Sequence, residues 1–293
     1  MIAVFGGSFN PIHKGHLRAA RLVLSSGLCS GVWFVPCYRH FFKPELISFD
    51  HRVEMIKLCI KGEKRFKLCL IEKELAANMK KPNTTIETIR ELKRRNPEKE
   101  FCWVIGSDLL PELPRWYKFN DLAQETSFVV VPIKGIKLRK DVLRKIKAKV
   151  LESAIDFISS KRIREEIRKG NSAKKFLEPS VWEYIESNLL YVSEFSEKVY
   201  SIVKKVPKGR VATYKGIAST IGSKAYRAVG IALKKNPFES VPCHRIVKSD
   251  GSLGGYKFGS KGKAKKLRNE GIKVVFGKIS CFECVNIGTN ELI

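Results

Sequence analysis

Short apolar runs alternate with longer amphipathic segments along the first two thirds of the chain. The apolar runs occupy residues 2–5, 32–35, 66–71, 101–105 and 128–131. The segments between them repeat apolar residues at the helical period, at residues 16–25, 50–59, 85–94, 140–150, 160–169 and 179–190. Strands that alternate with helices are typical of an α/β domain with a mostly parallel sheet, which we predict for residues 1–191.

The segment KGIKLRKDVLRKIKAKV, residues 134–150, is rich in lysine and could form a nucleic-acid patch or an amphipathic helix. Its apolar residues recur at a spacing of four, at Leu138, Val142, Ile146 and Val150. On a helix they form one stripe, with the lysines on the other faces and their charges in water. We therefore predict a solvated amphipathic helix.

From Ser193 onward the pattern changes to helical segments with little strand signal. Amphipathic stretches joined by short turns follow at 194–206, 214–221 and 224–234. Two short helices joined by a tight turn are what a helix-turn-helix motif requires. We predict a second, mainly α domain of winged-helix-like fold over residues 192–279, followed by a tail at 280–293.

The chain is strongly basic, with 56 Lys and Arg against 29 Asp and Glu, and a formal net charge of +27. Residues 192–293 contain 20 basic and 7 acidic side chains, whereas residues 1–191 contain 36 and 22. Such an excess favours polyanionic partners, because clustered cations attract phosphates. The last third is therefore the better candidate for contact with a nucleic-acid backbone.

The cysteine spacing and the first residues of the chain indicate its cellular compartment. Eight cysteines occur without regular spacing, and the chain starts with a short apolar run broken by glycines rather than a secretory signal. We predict a cytoplasmic protein without a disulfide framework. No apolar stretch approaches the roughly 18 to 20 residues that cross a bilayer, so no membrane partner is expected. The sequence leaves the oligomeric state open.

Cys281 and Cys284 in the tail have the CxxC spacing of half a zinc site, without an obvious second half. We expect a disordered or structural tail here and assign no residue as a metal ligand.

The first candidate site is GGSFNPIHKGH, residues 6–16, which follows a predicted strand and leads into a predicted helix. Gly6 and Gly7 let the backbone approach a ligand closely, and such a strand-to-helix loop presents N–H groups to phosphate. His13 and His16 are three residues apart, so both rings lie on one helix face and can donate hydrogen bonds to a charged oxygen. Such a pair can stabilise the charge on a phosphate under attack.

A second anion-binding pattern lies in ISSKRIREEIRKG, residues 158–170. Ser159 and Ser160 can cap a helix N-terminus that points hydroxyl and N–H groups at an anion, and Arg164 can reach the same anion one turn later. Taken alone, the segment fits an ordinary N-cap followed by a solvated face equally well. Its pairing with the histidine motif favours the phosphate interpretation.

Four motifs in the chain, GGSFNPIHKGH, WVIGSDLLPELPRW, ISSKRIR and VWEYIESNLLY, together resemble nicotinate/nicotinamide mononucleotide adenylyltransferases over essentially residues 1–191. The resemblance implies a Rossmann-like nucleotidyltransferase domain that binds ATP and a pyridine mononucleotide, and forms a dinucleotide and pyrophosphate in NAD biosynthesis. It also implies assistance by Mg²⁺ bound with ATP, since charge builds up on the phosphate oxygens. Other nucleotidyltransferases that share HxGH, and a degenerate scaffold, remain as alternatives.

Matched by motif, this resemblance implies a catalytic pair, an ATP-binding set and a mononucleotide-binding set. The catalytic pair would be His13 and His16, and the ATP-binding residues would be Gly7, Ser8, Phe9, Gly106, Asp108, Ser159, Ser160 and Arg164. The residues near the mononucleotide would be Lys43, Thr85 and Trp116. Trp116 could stack on a pyridine ring or belong to the core.

Two residues depart from the family pattern. Lys161 stands where a threonine is usual, which leaves one hydroxyl fewer for ATP. Thr84 stands where an aromatic residue is expected beside the pyridine ring, which leaves the choice between nicotinate and nicotinamide open.

Cys243 stands between Pro242 and His244 in the apolar run VPCHRIV. A thiol reacts as thiolate, so a nucleophilic cysteine needs a base or a positive charge beside it. His244 is adjacent in sequence, but neighbouring side chains on an extended strand face opposite ways. Taken alone, Cys243 is either a nucleophile or a small buried apolar residue.

The segments around it, GRVATYKGIASTIG, YRAVGIALKKNP, VPCHRIV, DGSLGGY and LRNEG, resemble the C-terminal domain of methylated-DNA–protein-cysteine methyltransferases over residues 209–271. That family removes alkyl groups from O6 of guanine in DNA, and the resemblance implies that Cys243 accepts the group once, as a stable thioether. His244 would relay a proton through water, Glu270 would orient His244, and Asn236 would brace the active-site turn. The stretch from Asn236 to Cys243 is about one residue shorter than is usual in the family.

The same resemblance implies contacts with double-stranded DNA that bears O6-alkylguanine. The target base must leave the stack, and Arg227 on the second helix of the helix-turn-helix would fill its place. Tyr214 would help to rotate the base and Tyr256 would border the pocket, with binding through the minor groove. A non-catalytic alkyl-DNA-binding module of this family is the closest alternative, although such modules lack the cysteine. A cysteine hydrolase is a more distant one.

Overall fold

A six-stranded parallel sheet organises the first part of the chain. The computed structural model describes residues 1–39, 46–77, 81–288 and 291–292. The strands are β1 (Ile2–Gly7), β2 (Gly31–Pro36), β3 (Phe66–Leu68), β4 (Phe101–Gly106), β5 (Ser127–Val131) and β6 (Lys147–Val150). Their order is β3-β2-β1-β4-β5-β6, which reverses direction between β1 and β4. The predicted Rossmann-like α/β fold is confirmed, and ligands of such sheets bind beyond the carboxyl ends of the strands at this reversal.

Helices lie between and after the strands, and some of them share a buried apolar cluster with the sheet. They are α1 (Lys14–Ser25), α2 (Phe49–Ile60), α3 (Ile71–Ala76), α4 (Thr85–Arg95), α5 (Phe119–Glu125), α6 (Lys140–Leu143), α7 (Ser160–Lys169) and α8 (Pro179–Ser187). Ile86 and Ile89 of α4, three residues apart on one helix face, are buried in the cluster with Val4, Trp103 and Phe128 of the sheet. This core fixes the strands whose ends carry the first candidate site.

Backbone packing divides the chain into two compact units. The first unit is Met1–Ile163 with Lys174–Trp182, and the second unit is Arg164–Ala173 with Glu183–Ile293. The boundary that the sequence predicts between residues 191 and 192 stays a prediction. Over the described ranges, no helix is both long enough and apolar enough to cross a membrane.

The predicted amphipathic helix over residues 134–150 is wrong except at Lys140–Leu143. The helix α6 ends at Leu143, and Lys147–Val150 pairs in parallel with β5 as the last strand of the sheet. Of the predicted apolar stripe, Val142 and Ile146 are buried, whereas Leu138 and Val150 are exposed. The exposed edge of β5 offers backbone hydrogen bonds to the following residues, and this pairing outweighs a helical periodicity that spans few turns.

The second unit is mainly helical beyond residue 193, as predicted. Its elements there are α9 (Glu194–Lys205), β7 (Ala212–Thr213), α10 (Tyr214–Thr220), α11 (Tyr226–Lys234), β8 (Ile246–Val247), α12 (Gly259–Asn269), β9 (Val274–Val275), β10 (Lys278–Ile279) and α13 (Phe282–Val285). The helices α10 and α11 match the two predicted helices of the helix-turn-helix. A second apolar cluster in this unit includes Val211, Val247 and Leu267.

The tail is structural, and hydrogen-bonded to the second unit, over the residues that the structure describes in it. The backbone N–H of Val211 donates to the carbonyl oxygen of Val285, and the N–H of Ile287 donates to that of Val211. Cys281 and Cys284, considered above as half a zinc site, form a disulfide with each other. The other six cysteines are free thiols, so the described residues contain one local disulfide pair.

Gly6 of β1 lies against the indole ring of Trp103 in β4, where a Cβ atom would come within 2.2 Å of Cζ2. We expect Gly6→Ala to lower the free energy of unfolding by about 2 kcal/mol, because strand or ring must shift in a close-packed core. Gly62→Ala is the control, since a Cβ there meets nothing within 4 Å. Urea unfolding compares the two variants, and equal stability would contradict the prediction.

Candidate active sites

The histidine pair of the first unit lies where β1 leads into α1. The rings of His13 and His16 stack with their centroids 3.7 Å apart, and Nδ1 of His16 accepts a hydrogen bond of 3.2 Å from the backbone N–H of His13. A side chain on Gly15 would place its Cβ 3.0 Å from Nδ1 of His13, so the glycine between the histidines gives the ring its room. Phe9 packs edge-on against His16 and fixes the other side of the pair.

Burial determines the charge of this pair. His13 is 4% exposed, and its Nδ1 has no hydrogen-bond partner among the described residues. Desolvation lowers the pKa of His13 to about 3, despite a backbone hydrogen bond that raises it. His13 is therefore neutral near pH 7, and it can offer a hydrogen bond to phosphate without carrying a charge.

A hydrogen bond joins the predicted phosphate-binding loop, residues 6–16, to the serine pair Ser159 and Ser160 within the first unit. The hydroxyl of Ser160 donates to the carbonyl oxygen of Pro11 at 2.9 Å across 149 residues of sequence, and the hydroxyl of Ser159 accepts from the N–H of Arg162 at 3.1 Å. Ser159 thus caps α7 as the sequence predicted. Arg164 lies further along α7, half-buried and in the second unit, and its role at the phosphates stays a prediction.

A buried arginine that the sequence analysis missed holds the loops after β1 and β2. Arg52 of α2 is 1% exposed and donates to the carbonyl oxygens of Ser8, Cys37, Tyr38 and Ile47. Its sequence signal is weak: Arg52 falls in helical register with Met55 and Ile56, which are fully buried. Gly7 ends β1 and Ser8 follows it. The hydrogen bond from Arg52 to Ser8 therefore fixes the backbone of the predicted ATP loop.

Gly106 and Asp108 lie at the carboxyl end of β4, the neighbour of β1 in the sheet. Because parallel strands end at the same edge, these residues and Gly7 share the ligand edge of the first unit. A Cβ on Gly106 would lie 2.4 Å from Oδ1 of Asp108, so a glycine is needed for the carboxylate to fold back over the strand end. Buried Ser107 accepts the N–H of Ile133 and ties this end to the segment after β5.

The residues predicted near the mononucleotide are only partly located. Thr85 is the first residue of α4, and Trp116 is half-buried against the core of the first unit. Lys43 lies outside the described residues. Thr84, which departs from the family pattern, has a local role. Its N–H and hydroxyl both donate to Oε2 of Glu87, and this capping box stabilises the N-terminus of α4.

Glu72 is a second group that the sequence analysis missed in the first unit. Its carboxylate accepts the N–H of Tyr38 at 3.2 Å and the hydroxyl of Thr88 at 3.3 Å, and its backbone carbonyl accepts from the amide of Asn83. Burial raises the pKa of Glu72 to about 7, against the lowering effect of these hydrogen bonds. The residue joins the segment after β2 to the start of α4.

In the second unit, Cys243 lines a cavity of about 880 Å³ together with Tyr214, Arg227, Tyr256 and Lys257. The structure thus brings together the predicted nucleophile and the three residues predicted to handle the base. Tyr214 begins α10, where Thr213 caps the helix by accepting the N–H of Gly216 at 2.8 Å. Arg227 is the second residue of α11 and is exposed.

Asn236 contacts Cys243 directly. Its Nδ2 donates to Sγ of Cys243 at 3.2 Å and to the carbonyl oxygen of Phe238 at 2.7 Å, and its Oδ1 accepts the N–H of Phe238 at 3.0 Å. Burial raises the pKa of the Cys243 thiol to about 11, although Asn236 and the charge of Lys263 lower it. In the free protein the thiol is therefore protonated, and its conversion to thiolate requires a proton acceptor.

His244 and Arg245 converge on one carboxylate. Nε2 of His244 lies 2.8 Å from Oε1 of Glu270, and the Arg245 guanidinium donates to both carboxylate oxygens at 2.8 to 3.2 Å. Burial raises the pKa of Glu270, but the hydrogen bonds from Arg245 and His244 hold it at about 2. Burial also lowers the pKa of His244, so its ring is a neutral base oriented by an ionised carboxylate. The sequence analysis missed Arg245 because the family resemblance pairs Glu270 with His244 alone.

A fully buried lysine supports the same cavity. The Nζ atom of Lys263 donates to the carbonyl oxygens of Ile246 and Gly255 and to the hydroxyl of Tyr214, which itself donates to Gly255. Burial lowers the pKa of Lys263 to about 8, and its charge acts on Cys243. Only its register with Ala264 and Leu267 in α12 could have indicated a buried position.

Comparisons with known proteins match two consecutive parts of the chain to different families. Residues 4–166 match the family model described as Cytidylyltransferase-like, and residues 194–272 match 6-O-methylguanine DNA methyltransferase, DNA binding domain. A probable nicotinate-nucleotide adenylyltransferase of Methylacidiphilum infernorum is 35% identical over 196 residues, which cover 65% of this chain and 92% of that protein. The nicotinate-nucleotide adenylyltransferase of Bacillus subtilis is 34% identical over 195 residues, covering 66% and 98%.

A solved structure of Plasmodium falciparum nicotinic acid mononucleotide adenylyltransferase complexed with NaAD is similar, with a TM-score of 0.57. It is 24% identical and covers 65% of this chain and 96% of that one, so it supports the fold of the first two thirds.

The shared carboxylate of Glu270 should make stability depend on pH. Its folded-state pKa, about 2, lies below the value of about 4.3 in an unfolded chain, so its stabilising contribution is present above about pH 5 and is lost as the pH falls towards 2. We expect the free-energy difference between wild type and Glu270→Gln, from urea unfolding, to shrink over this range. The control Glu283→Gln changes an exposed carboxylate. A pH-independent effect of E270Q would contradict the prediction.

Proposed function

The chain belongs to the nicotinate-nucleotide adenylyltransferase family over about two thirds of its length, and we propose that this part transfers the adenylyl group of ATP to nicotinate mononucleotide. The observation that carries the proposal is the 34–35% identity over nearly the whole length of such relatives. The hydrogen bond between Ser160 and Pro11 supports it, because it joins the two phosphate-binding motifs. We propose nicotinate rather than nicotinamide mononucleotide as the acceptor because the relatives are named nicotinate-nucleotide adenylyltransferases.

In the proposed reaction, a phosphate oxygen of the mononucleotide attacks the α-phosphorus of ATP. The bond from that phosphorus to the oxygen bridging to the β-phosphate breaks, and pyrophosphate leaves with the electron pair. His13 and His16 hydrogen-bond the α-phosphate oxygens while charge develops, from rings held by Gly15 and Phe9. The backbone at Gly7, Ser8 and Phe9 and the start of α7 hold the triphosphate.

Magnesium would reach this site bound to the phosphates of ATP and would supply charge neutralisation on the leaving pyrophosphate. Over the described part of the chain, no three His, Cys, Asp or Glu side chains lie together as a metal-binding group. A metal that the nucleotide holds requires no such group, and Asp108 is one carboxylate on the ligand edge.

Purified protein should release pyrophosphate from ATP with nicotinate mononucleotide. His16→Ala should lower kcat by about a hundredfold to a thousandfold, because a donor to the transition state is lost. A coupled pyrophosphate assay measures both. His51→Ala, in α2 and outside the predicted phosphate-binding loop, is the matched control and should keep its activity.

Two results would contradict this proposal in different ways. Release of pyrophosphate only with a different acceptor would indicate another nucleotidyltransferase with the same motif. ATP binding without any transfer would indicate a scaffold.

The second unit contains a DNA-binding domain of the alkyltransferase family. For it we propose stoichiometric transfer of an alkyl group from O6 of guanine in DNA to Cys243. The contact of Asn236 with Sγ and the His244–Glu270 pair support transfer over binding alone, because they serve a reacting thiol.

In this step Sγ attacks the alkyl carbon and the carbon–oxygen bond breaks. The thiol proton passes through water to His244, and the released guanine keeps the electron pair and takes up a proton. Sγ ends as a thioether, so each molecule acts once. His244 is a suitable acceptor because it is neutral and fixed by Glu270.

Double-stranded DNA would bind through its backbone, with the target base flipped into the cavity. Tyr214 and Tyr256 border that cavity, and Arg227 lies on the exposed start of α11 at its rim. The basic excess of this part of the chain predicts affinity that weakens steeply with salt. A cytoplasmic location remains a prediction.

A duplex that contains O6-methylguanine should convert Cys243 to S-methylcysteine, detected as one added methylene mass on its peptide. Cys243→Ser should abolish the transfer and keep DNA binding, because the cavity is otherwise unchanged. Cys37→Ser, at a half-exposed cysteine of the first unit, should leave it intact. Tight binding of the duplex without a mass change in wild type would instead support the non-catalytic binder.

A further inference from the structure

The turn of residues 236–241, here called the active-site turn, connects α11 to Cys243. It carries Asn236, whose amide donates to Sγ of Cys243. Any displacement of the turn therefore alters the hydrogen bond that acts on the thiol. Within the second unit, two segments that precede the family match at residue 194 contact this turn and its flanks.

The first contact is made by Gly170, just after the end of α7. Gly170 has a φ of +90°, and a Cβ on it would lie 2.6 Å from the carbonyl oxygen of Lys235, the residue before the turn. The Nζ atom of Lys257 donates to the carbonyl oxygen of Gly170 at 2.7 Å and to that of Asn236 at 3.2 Å. One cation thus joins Gly170 to the first residue of the turn.

The second contact is made by Glu186 near the end of α8. Its Oε1 accepts the backbone N–H of Ser240 at 2.7 Å, three residues before Cys243. Lys204 of α9 donates to the carbonyl oxygens of Glu186 and Ser187, which fixes the end of the helix that presents the carboxylate. A charged acceptor makes a stronger hydrogen bond to a backbone N–H than a neutral one does.

We propose that Gly170 and Glu186 are positioning residues for Cys243, holding the two ends of the active-site turn so that Asn236 meets Sγ. Both lie in segments that resemble the adenylyltransferase family by sequence, yet they belong to the second unit. The inference rests on the proposed alkyl transfer, and it adds to that reaction a brace from outside the alkyltransferase family match.

The full-length variants Glu186→Ala and Glu186→Gln test the carboxylate. In E186A the turn loses an acceptor, so the pH midpoint for reaction of Cys243 with iodoacetamide, followed on its peptide, should rise. The rate constant of methyl transfer at saturating duplex should fall by between about tenfold and a hundredfold. E186Q keeps an oxygen for Ser240 and should recover most of both properties. Glu183→Ala, exposed on the same helix, is the control.

Gly170→Ala tests the other end of the turn. It should raise the same pH midpoint and slow transfer, because its Cβ meets backbone that cannot yield cheaply. Gly277→Ala is the matched control: it shares the positive φ, +76°, but nothing lies within 4 Å. Thermal unfolding verifies that Gly170→Ala is folded, and if it is not, Glu186→Ala alone decides the proposal.

The two proposals fail in separable ways. Wild-type pH midpoints and transfer rates in E186A and G170A would overturn the bracing role. If wild type transfers no methyl group while the pH midpoint still shifts in these variants, the bracing role stands and the proposed alkyl transfer fails.

Discussion

In each unit, a fully buried cationic side chain donates hydrogen bonds to backbone carbonyl oxygens of the loops that form the candidate site. Arg52 gathers the loops after β1 and β2, and Lys263 gathers the strand and loop that flank Cys243. Removing such a charge from water is costly, so it is tolerated only where several oxygens replace the solvent. The loops are consequently defined by the cation as much as by their own sequence, and both proposed chemistries depend on that arrangement.

Much of the fold could be predicted from periodicity, because the buried strands are continuous apolar runs and the helices have one apolar face. The exception is informative. Residues 147–150 continue a helical stripe, yet they form β6, because an unpaired strand edge is a long-range feature that local spacing does not encode. The short elements of the second unit, such as the pair β9 and β10, were also missed, since two residues give no measurable period.

The sites divide in a similar way. His13, His16 and the Cys243 to Glu270 set could be placed because they stand in motifs whose spacing carries the chemistry. Arg52, Glu72, Arg245 and Lys263 could not, because each is defined by partners on other elements, and most of those partners are backbone atoms without a sequence signature. The sequence of this chain therefore reveals its candidate reacting groups more readily than the contacts that position them.

The strand that contradicted the helical pattern has a consequence for how the protein behaves in concentrated solution. An open parallel edge presents unpaired N–H and C=O groups to any passing extended segment. Here that edge carries Lys147 and Lys149, both exposed. A second copy of this very basic chain would have to bring like charges together to add its own strand. The two lysines therefore oppose intermolecular pairing at this edge of the sheet.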